Sequence, residues 1–156
     1  MESKTLQSTI QVRQADSNDS SELYGLMREY IVDFYNQPEP SEEELKGLIR
    51  HLLENPSSGV QFVAEENGRL IGFATLYFTF STLKVKRQAI LNDLFVQRDV
   101  RGKKVGETLF KTCLDYIRMH DFAGMTWETA QDNVAAQGLY KKMGGKISKW
   151  VVYEIK

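Results

Sequence analysis

A basic, glycine-containing loop between a β-rich run and an apolar helix pattern constrains the fold of this chain most. The run Ala89 to Val96 leads into the loop Arg101 to Gly106. After the loop, apolar residues recur near one face of a helix: Val105, Leu109, Phe110, Cys113, Tyr116 and Ile117. Backbone N–H groups at such a helix start converge on a point that suits an anion. This strand, loop and helix together predict a site for a phosphorylated ligand. An ordinary basic turn is the alternative that stays open.

The other segments predict a sheet with helices on its faces. A strand near Ile10 precedes a helix from Leu23 to Phe34, and Ser41 with Glu44 has the capping-box spacing of a second helix. The turn pair Asn67-Gly68 predicts a hairpin. Three later segments are predicted as a strand, a helix and a final strand: Met125 to Thr129, Val134 to Met143 and Ile147 to Ile155. This order predicts a mixed sheet of the α+β class.

Composition limits the function further. With 156 residues, 42% of them hydrophobic and 26% charged, the chain is predicted to form one domain over 1–156, with residues 1–8 as a candidate disordered tail. The net charge of −1 and scattered Lys and Arg argue against nucleic acid as a partner. A lone cysteine, Cys113, favours the cytoplasm, and no apolar run indicates a membrane partner. His51 and His120 lack metal-ligand spacing, so no metal is expected.

Two motifs together identify a family resemblance. The first is a valine followed by an R-G-x-G-x-G pattern, matched at Val96, Arg101, Gly102 and Gly106. The second is N-x-x-A-x-x-x-Y-x-x-x-G, matched at Asn133, Ala136, Tyr140 and Gly144. The chain thereby resembles the GNAT superfamily of N-acetyltransferases. The resemblance implies a mixed, mostly antiparallel central sheet of six to seven strands with about four helices, and acetyl-CoA as the co-substrate.

The resemblance also implies which residues hold the coenzyme. They come from the β-rich run, the loop and the second motif: Leu94, Phe95, Val96, Arg101, Gly102, Lys103, Lys104, Val105, Gly106, Asn133, Ala136 and Tyr140. Lys104 stands where the family has its middle glycine. Either the loop needs no positive φ there, or the residue carries a strain of ~1–2 kcal/mol. We further expect Asn133 to cap the last helix.

The catalytic roles follow from the same resemblance, which implies direct attack of a neutral amine on the thioester in a ternary complex. Tyr140 matches the usual general acid, with a core aromatic as the alternative reading. The strand L-N-D-L-F-V resembles L-E-D-F-F-V of spermidine/spermine N-acetyltransferases, but the proposed glutamate base is here Asn92. Asp93 and Glu128 remain as candidate bases. Strand alternation predicts Asn92 and Asp93 on opposite faces.

The acceptor is predicted to bind near the first two helices. Aromatic Tyr30, Phe34 and Tyr35, together with Asn92, are the candidate contacts. Nearby carboxylates favour a small, polyamine-like cationic amine, although Glu42 to Glu44 equally fit the solvated start of a helix. A non-catalytic CoA-binding regulatory module and a protein or peptide N-acetyltransferase are alternatives. The final strand could complete the chain's own sheet or pair with its copy in a homodimer.

Overall fold

The computed structural model describes residues 9–100 and 104–156. Its strands form one sheet in chain order: β1 (Ile10–Gln14), β2 (Gly59–Glu66), β3 (Arg69–Ser81), β4 (Lys86–Val96) and β5 (Met125–Thr126). The helices are α1 (Ser20–Arg28), α2 (Glu42–Glu54), α3 (Val105–Met119) and α4 (Val134–Lys142). The first four strands pair antiparallel, and β5 joins β4 in parallel. The α+β class is confirmed, with five described strands instead of six to seven.

Local signals in the sequence account for two of the boundaries. The β2–β3 hairpin turns at Asn67 and Gly68, whose φ angles of 53° and 78° are the left-handed values that this turn requires. The hydroxyl of Ser41 accepts a hydrogen bond of 3.2 Å from the backbone N–H of Glu44 and begins α2. Both predictions are confirmed. The candidate tail, residues 1–8, and positions 101–103 of the loop lie outside the described residues.

The sheet separates two apolar clusters, so helices cover both of its faces. On one face α3 buries Leu109, Phe110 and Cys113. On the other face α1 and α2 pack against the sheet through residues such as Leu23 and Ile49. Burial raises the pKa of the Cys113 thiol to about 12, which suits the predicted small core residue and leaves no nucleophilic thiolate at neutral pH. No helix in the described ranges is long and apolar enough to cross a bilayer.

The prediction of a final strand from Ile147 to Ile155 is wrong. Residues 146–156 adopt neither helix nor strand, and the side chains of Ile147 and Ile155 are fully exposed. A strand is stabilised by backbone hydrogen bonds to a neighbour, and the described part of the chain brings none alongside this segment. The preceding predicted strand also shortens, from Met125 to Thr129 down to the two residues of β5.

Candidate active site

A cleft opens where β4 and β5 diverge. The two strands pair only through Ala89 with Met125 and Ile90 with Thr126. Beyond that point the end of β4, Leu94 to Val96, borders a cavity of about 420 Å³ between the start of α3 and one side of α4. Its lining residues are Phe34, Leu94, Phe95, Val96, Lys104, Val105, Gly106, Glu107, Asn133, Ala135, Ala136, Leu139 and Tyr140. Strand edge, helix start and Tyr140 therefore meet at one site.

A β-bulge interrupts β4 just before the residues that line this cleft. Asp93 lies opposite Thr75 on β3, while Leu91 lies opposite the next residue, Leu76, so Asn92 is an extra residue without a β3 partner. The side-chain amide of Asn92 donates a 3.0 Å hydrogen bond to the Asp93 carboxylate. The expectation that Asn92 and Asp93 point to opposite faces is therefore wrong, because the bulge interrupts the alternation on which it rested.

Asp93 is a buried carboxyl in a polar network. Its exposed fraction is 9%, and the hydroxyls of Thr75 and Tyr30 also donate to it. The amide of Gln61 in turn donates to the Thr75 hydroxyl over 3.1 Å. Burial raises the pKa of Asp93, since removal from water disfavours the charged form, and the three donors only partly oppose this. Asp93 is therefore a stronger base than an exposed carboxylate when it is ionised.

The helix predicted over Leu23 to Phe34 is an α-helix only as far as Arg28. After α1, residues Glu29–Phe34 form a π-helical turn in which the N–H of Tyr35 donates to the carbonyl of Tyr30 over 3.1 Å. The wider turn groups the predicted acceptor aromatics: ring centroids of Tyr30 and Tyr35 lie 4.9 Å apart, and those of Phe34 and Phe95 lie 6.0 Å apart. Such turns are frequent at functional sites. Apolar spacing does not distinguish an α-helix from one π-turn, which explains why the sequence did not reveal it.

Two of the carboxylates near these aromatics form ion pairs, and a third accepts a hydrogen bond. Glu39 binds Arg28 over 2.6 Å, and Glu42 binds Lys46 over 2.7 Å one turn along α2. Glu29 accepts a hydrogen bond from Gln97. The acidic composition of this region is therefore partly structural, and the solvated-helix reading suits Glu42.

The start of α3 forms one end of the cleft, at the position where the coenzyme is predicted to bind. Lys104 caps this helix in the left-handed conformation, with φ of 61°, so the strained alternative raised for this position is the correct one. A Cβ added at Gly106 would lie 3.7 Å from Val96 and 3.9 Å from Leu139, two residues of the lining. Any larger side chain at Gly106 would project into the cleft. The helix start, the Lys104 ammonium and this space fit a phosphate-bearing ligand with an extended arm.

Asn133 and Tyr140 line the cleft on the side of α4. The side chain of Asn133 accepts a 3.1 Å hydrogen bond from the Ala136 N–H and caps α4, as predicted. Tyr140 is half-buried, with its ring 5.3 Å from that of Trp127. Burial raises the pKa of its phenol, and the neighbouring Tyr35 raises it further. Tyr140 therefore stays protonated at neutral pH and can act as a proton donor.

The structure brings most of the predicted residues together. All described members of the coenzyme set line the cleft, while Arg101, Gly102 and Lys103 lie outside the described residues. Tyr30, Tyr35, Asn92 and Asp93 do not line the cleft but contact one another beside it. Glu128 is exposed and does not line the cleft.

Sequence reasoning missed three lining residues: Glu107, Ala135 and Leu139. Each is next to a motif residue in the sequence, and this adjacency is the only signal from which they could have been predicted.

Comparison with known proteins gives a consistent result. Residues 23–145 match the acetyltransferase (GNAT) family. YhfO, an uncharacterised N-acetyltransferase of Bacillus subtilis (strain 168), is 37% identical over 138 residues, covering 86% of this chain and 89% of that protein. A crystal structure of a probable acetyltransferase has a TM-score of 0.84 at 28% identity, covering 94% of this chain and 97% of that one. The aminoglycoside N-acetyltransferase AAC(6')-Iy in complex with CoA has a TM-score of 0.80 at 18% identity, covering 97% of each chain.

The chain therefore belongs to the acetyltransferase (GNAT) family. It is an N-acetyltransferase, an enzyme of the acyltransferase class, and acetyl-CoA is its co-substrate. The family resemblance seen in the two sequence motifs is confirmed. Within the ranges 9–100 and 104–156, no group of His, Cys, Asp and Glu is arranged to hold a metal ion.

Proposed function

We propose that this acetyltransferase transfers the acetyl group to the primary amine of a small cationic molecule, by direct attack on the thioester within a ternary complex. One observation carries the proposal: the cleft of about 420 Å³ joins the start of α3, the bulged strand β4 and Tyr140. Coenzyme and amine can thus meet without an acyl-enzyme, and the buried thiol of Cys113 offers no alternative nucleophile there. The coenzyme set named above holds acetyl-CoA in this proposal.

Tyr140 is proposed as the general acid. As the tetrahedral intermediate collapses, its phenol gives a proton to the departing thiolate sulfur, which leaves as the free thiol. Main-chain N–H groups near Leu94 stabilise the oxyanion in the same proposal. The raised pKa of Tyr140 supports this role, because the proton is retained until the sulfur becomes basic.

Asp93 is proposed as the group that receives the proton of the incoming ammonium. Its raised pKa favours proton acceptance, and its place beside the cleft instead of in the lining requires a bridging water. Glu128 is the second candidate. It is the weaker one because it is exposed and lacks the contacts with Tyr30 and Asn92 that orient Asp93.

The acceptor is proposed to bind against Tyr30, Phe34, Tyr35 and Asn92. Aromatic faces attract ammonium groups, and the exposed carboxylate of Asp33 adds negative charge beside them. Glu39 and Glu42 already have the basic partners Arg28 and Lys46, so they are not counted among the contacts of the acceptor in this proposal. Cytoplasmic localisation and a homodimeric state complete the proposal.

A competition assay tests the acceptor class. Protein and acetyl-CoA are mixed with small monoamines, diamines and polyamines, and separately with peptides that carry lysine or a free N-terminus, and released thiol is measured. We expect turnover with small cationic amines and little with peptides. Peptides that outcompete every small amine would refute the acceptor class while leaving the acetyl-transfer chemistry intact.

Tyr140→Phe tests the mechanism. Loss of general acid catalysis lowers kcat by about 100-fold or more, whereas coenzyme affinity stays within a few-fold because the ring remains. Tyr24→Phe is the matched control, since Tyr24 lies on α1 beside Lys46 and outside the cleft lining. Equal activity of the two variants would show that Tyr140 is not the acid.

A further inference from the structure

Asp93, the proposed base, is a carboxyl that the fold keeps away from water. Its exposed fraction is 9%, and it does not line the cleft. A base that takes up a proton in every catalytic cycle must pass that proton on before the next cycle. Proton transfer needs groups within hydrogen-bond distance of each other, directly or through one water. A chain of hydrogen-bonding groups must therefore connect the Asp93 carboxylate with the cleft and the solvent.

Three side chains donate hydrogen bonds to Asp93, and only one of them can pass a proton outward. They belong to Thr75, Asn92 and Tyr30. The side chain of Thr75 is fully buried, and its hydroxyl accepts from the buried amide of Gln61 over 3.1 Å, so this branch leads into the sheet. The amide of Asn92 donates but does not titrate. The phenol of Tyr30 remains as the connection.

The phenols of Tyr30 and Tyr35 are hydrogen-bonded to each other. Tyr30 is bonded both to Asp93 and to Tyr35. A phenol has a single proton, so Tyr30, whose proton goes to the carboxylate, accepts from Tyr35. The π-helical turn Glu29–Phe34 sets this contact, with the two rings nearly perpendicular and their centroids 4.9 Å apart. Tyr35 is 45% exposed, so the two phenols lead from the buried carboxylate to the surface.

Tyr35 also lies beside the cleft. Its ring packs edge-on against that of Phe34, with 5.0 Å between the centroids, and Phe34 lines the cleft. Tyr35 is close enough to Tyr140, the proposed acid, to raise the pKa of that phenol. The hydroxyl of Tyr35 is therefore near the place where the amine and the thioester would meet.

We propose that Tyr30 and Tyr35 form a hydroxyl relay, which carries the proton of the acceptor amine to Asp93. The relay rests on the proposed function, in which Asp93 is the base. The ammonium gives its proton through the bridging water to the Tyr35 oxygen, the Tyr35 proton moves to the Tyr30 oxygen, and the Tyr30 proton moves to the carboxylate. Each phenol oxygen gains one proton and loses one, so both phenols are neutral afterwards and Asp93 is the neutral acid. The reverse transfers release the proton to solvent before the next cycle.

The surroundings of Tyr30 suit this role. Burial, above all, and the charge of Asp93 raise the pKa of Tyr30, so the phenol keeps its proton until the carboxylate accepts it and no phenolate accumulates. Its ring packs against those of Phe73 and Phe95, with centroids 5.6 and 5.7 Å away. These contacts hold the hydroxyl between its two partners. Hydrogen bonds in such a chain polarise one another, which favours coupled movement of the protons.

Removal of one hydroxyl at a time tests the relay, with released thiol as the readout and the best acceptor of the competition assay as substrate. Tyr30→Phe and Tyr35→Phe keep the rings, so KM for the acceptor should stay within about twofold while kcat falls about 10-fold or more. Tyr77→Phe is the matched control. The charge of Asp93 helps burial to raise the pKa of Tyr77 to about 12, but this phenol is not one of the three donors to Asp93, so kcat should change less than about twofold. Thermal unfolding establishes that the variants are folded.

The pH–rate profile of Tyr35→Phe distinguishes a relay from a role in orienting the base. Tyr35 is not among the donors to Asp93, so its hydroxyl should set the height of the profile and leave the rising limb in place. A shifted limb at unchanged height would mean that the hydroxyl only tunes the carboxylate. A raised KM with wild-type kcat would mean that it only contacts the acceptor. Either result would overturn the relay.

Combination with Asp93→Asn separates the relay from the base that it serves. We expect Asp93→Asn to lower kcat, and Tyr35→Phe to lower it less than about twofold further in that background, because the two groups act as a unit. Losses that multiply would overturn the relay, since the hydroxyl would then act independently of Asp93. Full activity of Tyr30→Phe or Tyr35→Phe beside an impaired Asp93→Asn would refute the relay alone. Full activity of Asp93→Asn would refute the proposed base, and the relay with it.

Discussion

Substitution of Lys104 tests two proposed effects of this residue, one on the stability of the fold and one on coenzyme binding. It caps α3 with φ of 61°, where the standard loop of the family has glycine. The left-handed conformation costs a non-glycine residue ~1–2 kcal/mol, and glycine loses ~0.5–1 kcal/mol more than alanine through the freedom of its unfolded chain. Lys104→Gly should therefore raise the free energy of unfolding by ~0.5–1 kcal/mol, or Tm by about 1–4 °C for a chain of this size.

Lys104→Ala is the matched control, because it removes the ammonium but keeps the strain. We expect its stability within about 0.5 kcal/mol of wild type. Thermal unfolding is measured without coenzyme, since ligand binding would add its own stabilisation. If the ammonium faces a coenzyme phosphate, both variants should bind acetyl-CoA about two- to fivefold more weakly by calorimetry, with the difference shrinking at high salt. A glycine variant no more stable than the alanine variant would refute the strain argument.

Three further substitutions test the electrostatics of Asp93 and the packing of two glycines. Burial raises the pKa of Asp93, so its contribution to stability is greatest below the unfolded-state pKa of the carboxyl and is lost as the pH rises through the raised folded-state value. Urea unfolding at pH 5 and pH 8 should show that Asp93→Asn gains stability relative to wild type at the higher pH, and a pH-independent difference would contradict this. Gly72→Ala places a Cβ 2.8 Å from the carbonyl of Phe95, so it should cost ~1–3 kcal/mol in urea unfolding. Gly25→Ala, in α1 with nothing within 4 Å, should instead stabilise by ~0.5–1 kcal/mol, and loss of this contrast would refute the packing argument.

Most of the fold was predictable because local signals agreed with long-range packing. The capping pair Ser41 and Glu44, the hairpin at Asn67-Gly68 and the apolar face of α3 each specify one local structure, and the structure contains all three. The described residues of the predicted coenzyme set line one cleft, because they lie in two short segments of the chain, 94–106 and 133–140, that the fold brings together.

The acceptor side was less predictable because it depends on departures from regular structure. The π-turn at Glu29–Phe34 and the bulge at Asn92 each add one residue to an element whose periodicity is otherwise intact. A period of 3.6 or 2 identifies an element but not the position of one inserted residue. The prediction of a final strand was wrong for another reason. The segment 146–156 has the residue types of a strand, but strand formation needs a neighbouring strand, and the sequence does not show where that neighbour is.

The bulge explains why the carboxyl position next to Asn92 matters in this chain. A regular strand would direct Asn92 and Asp93 to opposite faces, and only one of them could serve the acceptor. The extra residue brings the amide of Asn92 within 3.0 Å of the Asp93 carboxylate, so the amide can orient the carboxylate without titrating itself. In the proposed mechanism, the position that holds glutamate in the spermidine/spermine-type strand supplies a hydrogen-bond donor here. The proposed base is the next residue along the strand, Asp93, which also accepts a hydrogen bond from the hydroxyl of Tyr30. This arrangement predicts that Asn92→Asp, by adding a second carboxylate in contact, raises the pKa of the pair and shifts the rising limb of the pH–rate profile upward. Asn92→Ala removes only one of the three donors to Asp93, so it should lower kcat and shift the limb upward by less. An unchanged profile in Asn92→Asp would show that Asp93 takes no part in deprotonating the amine.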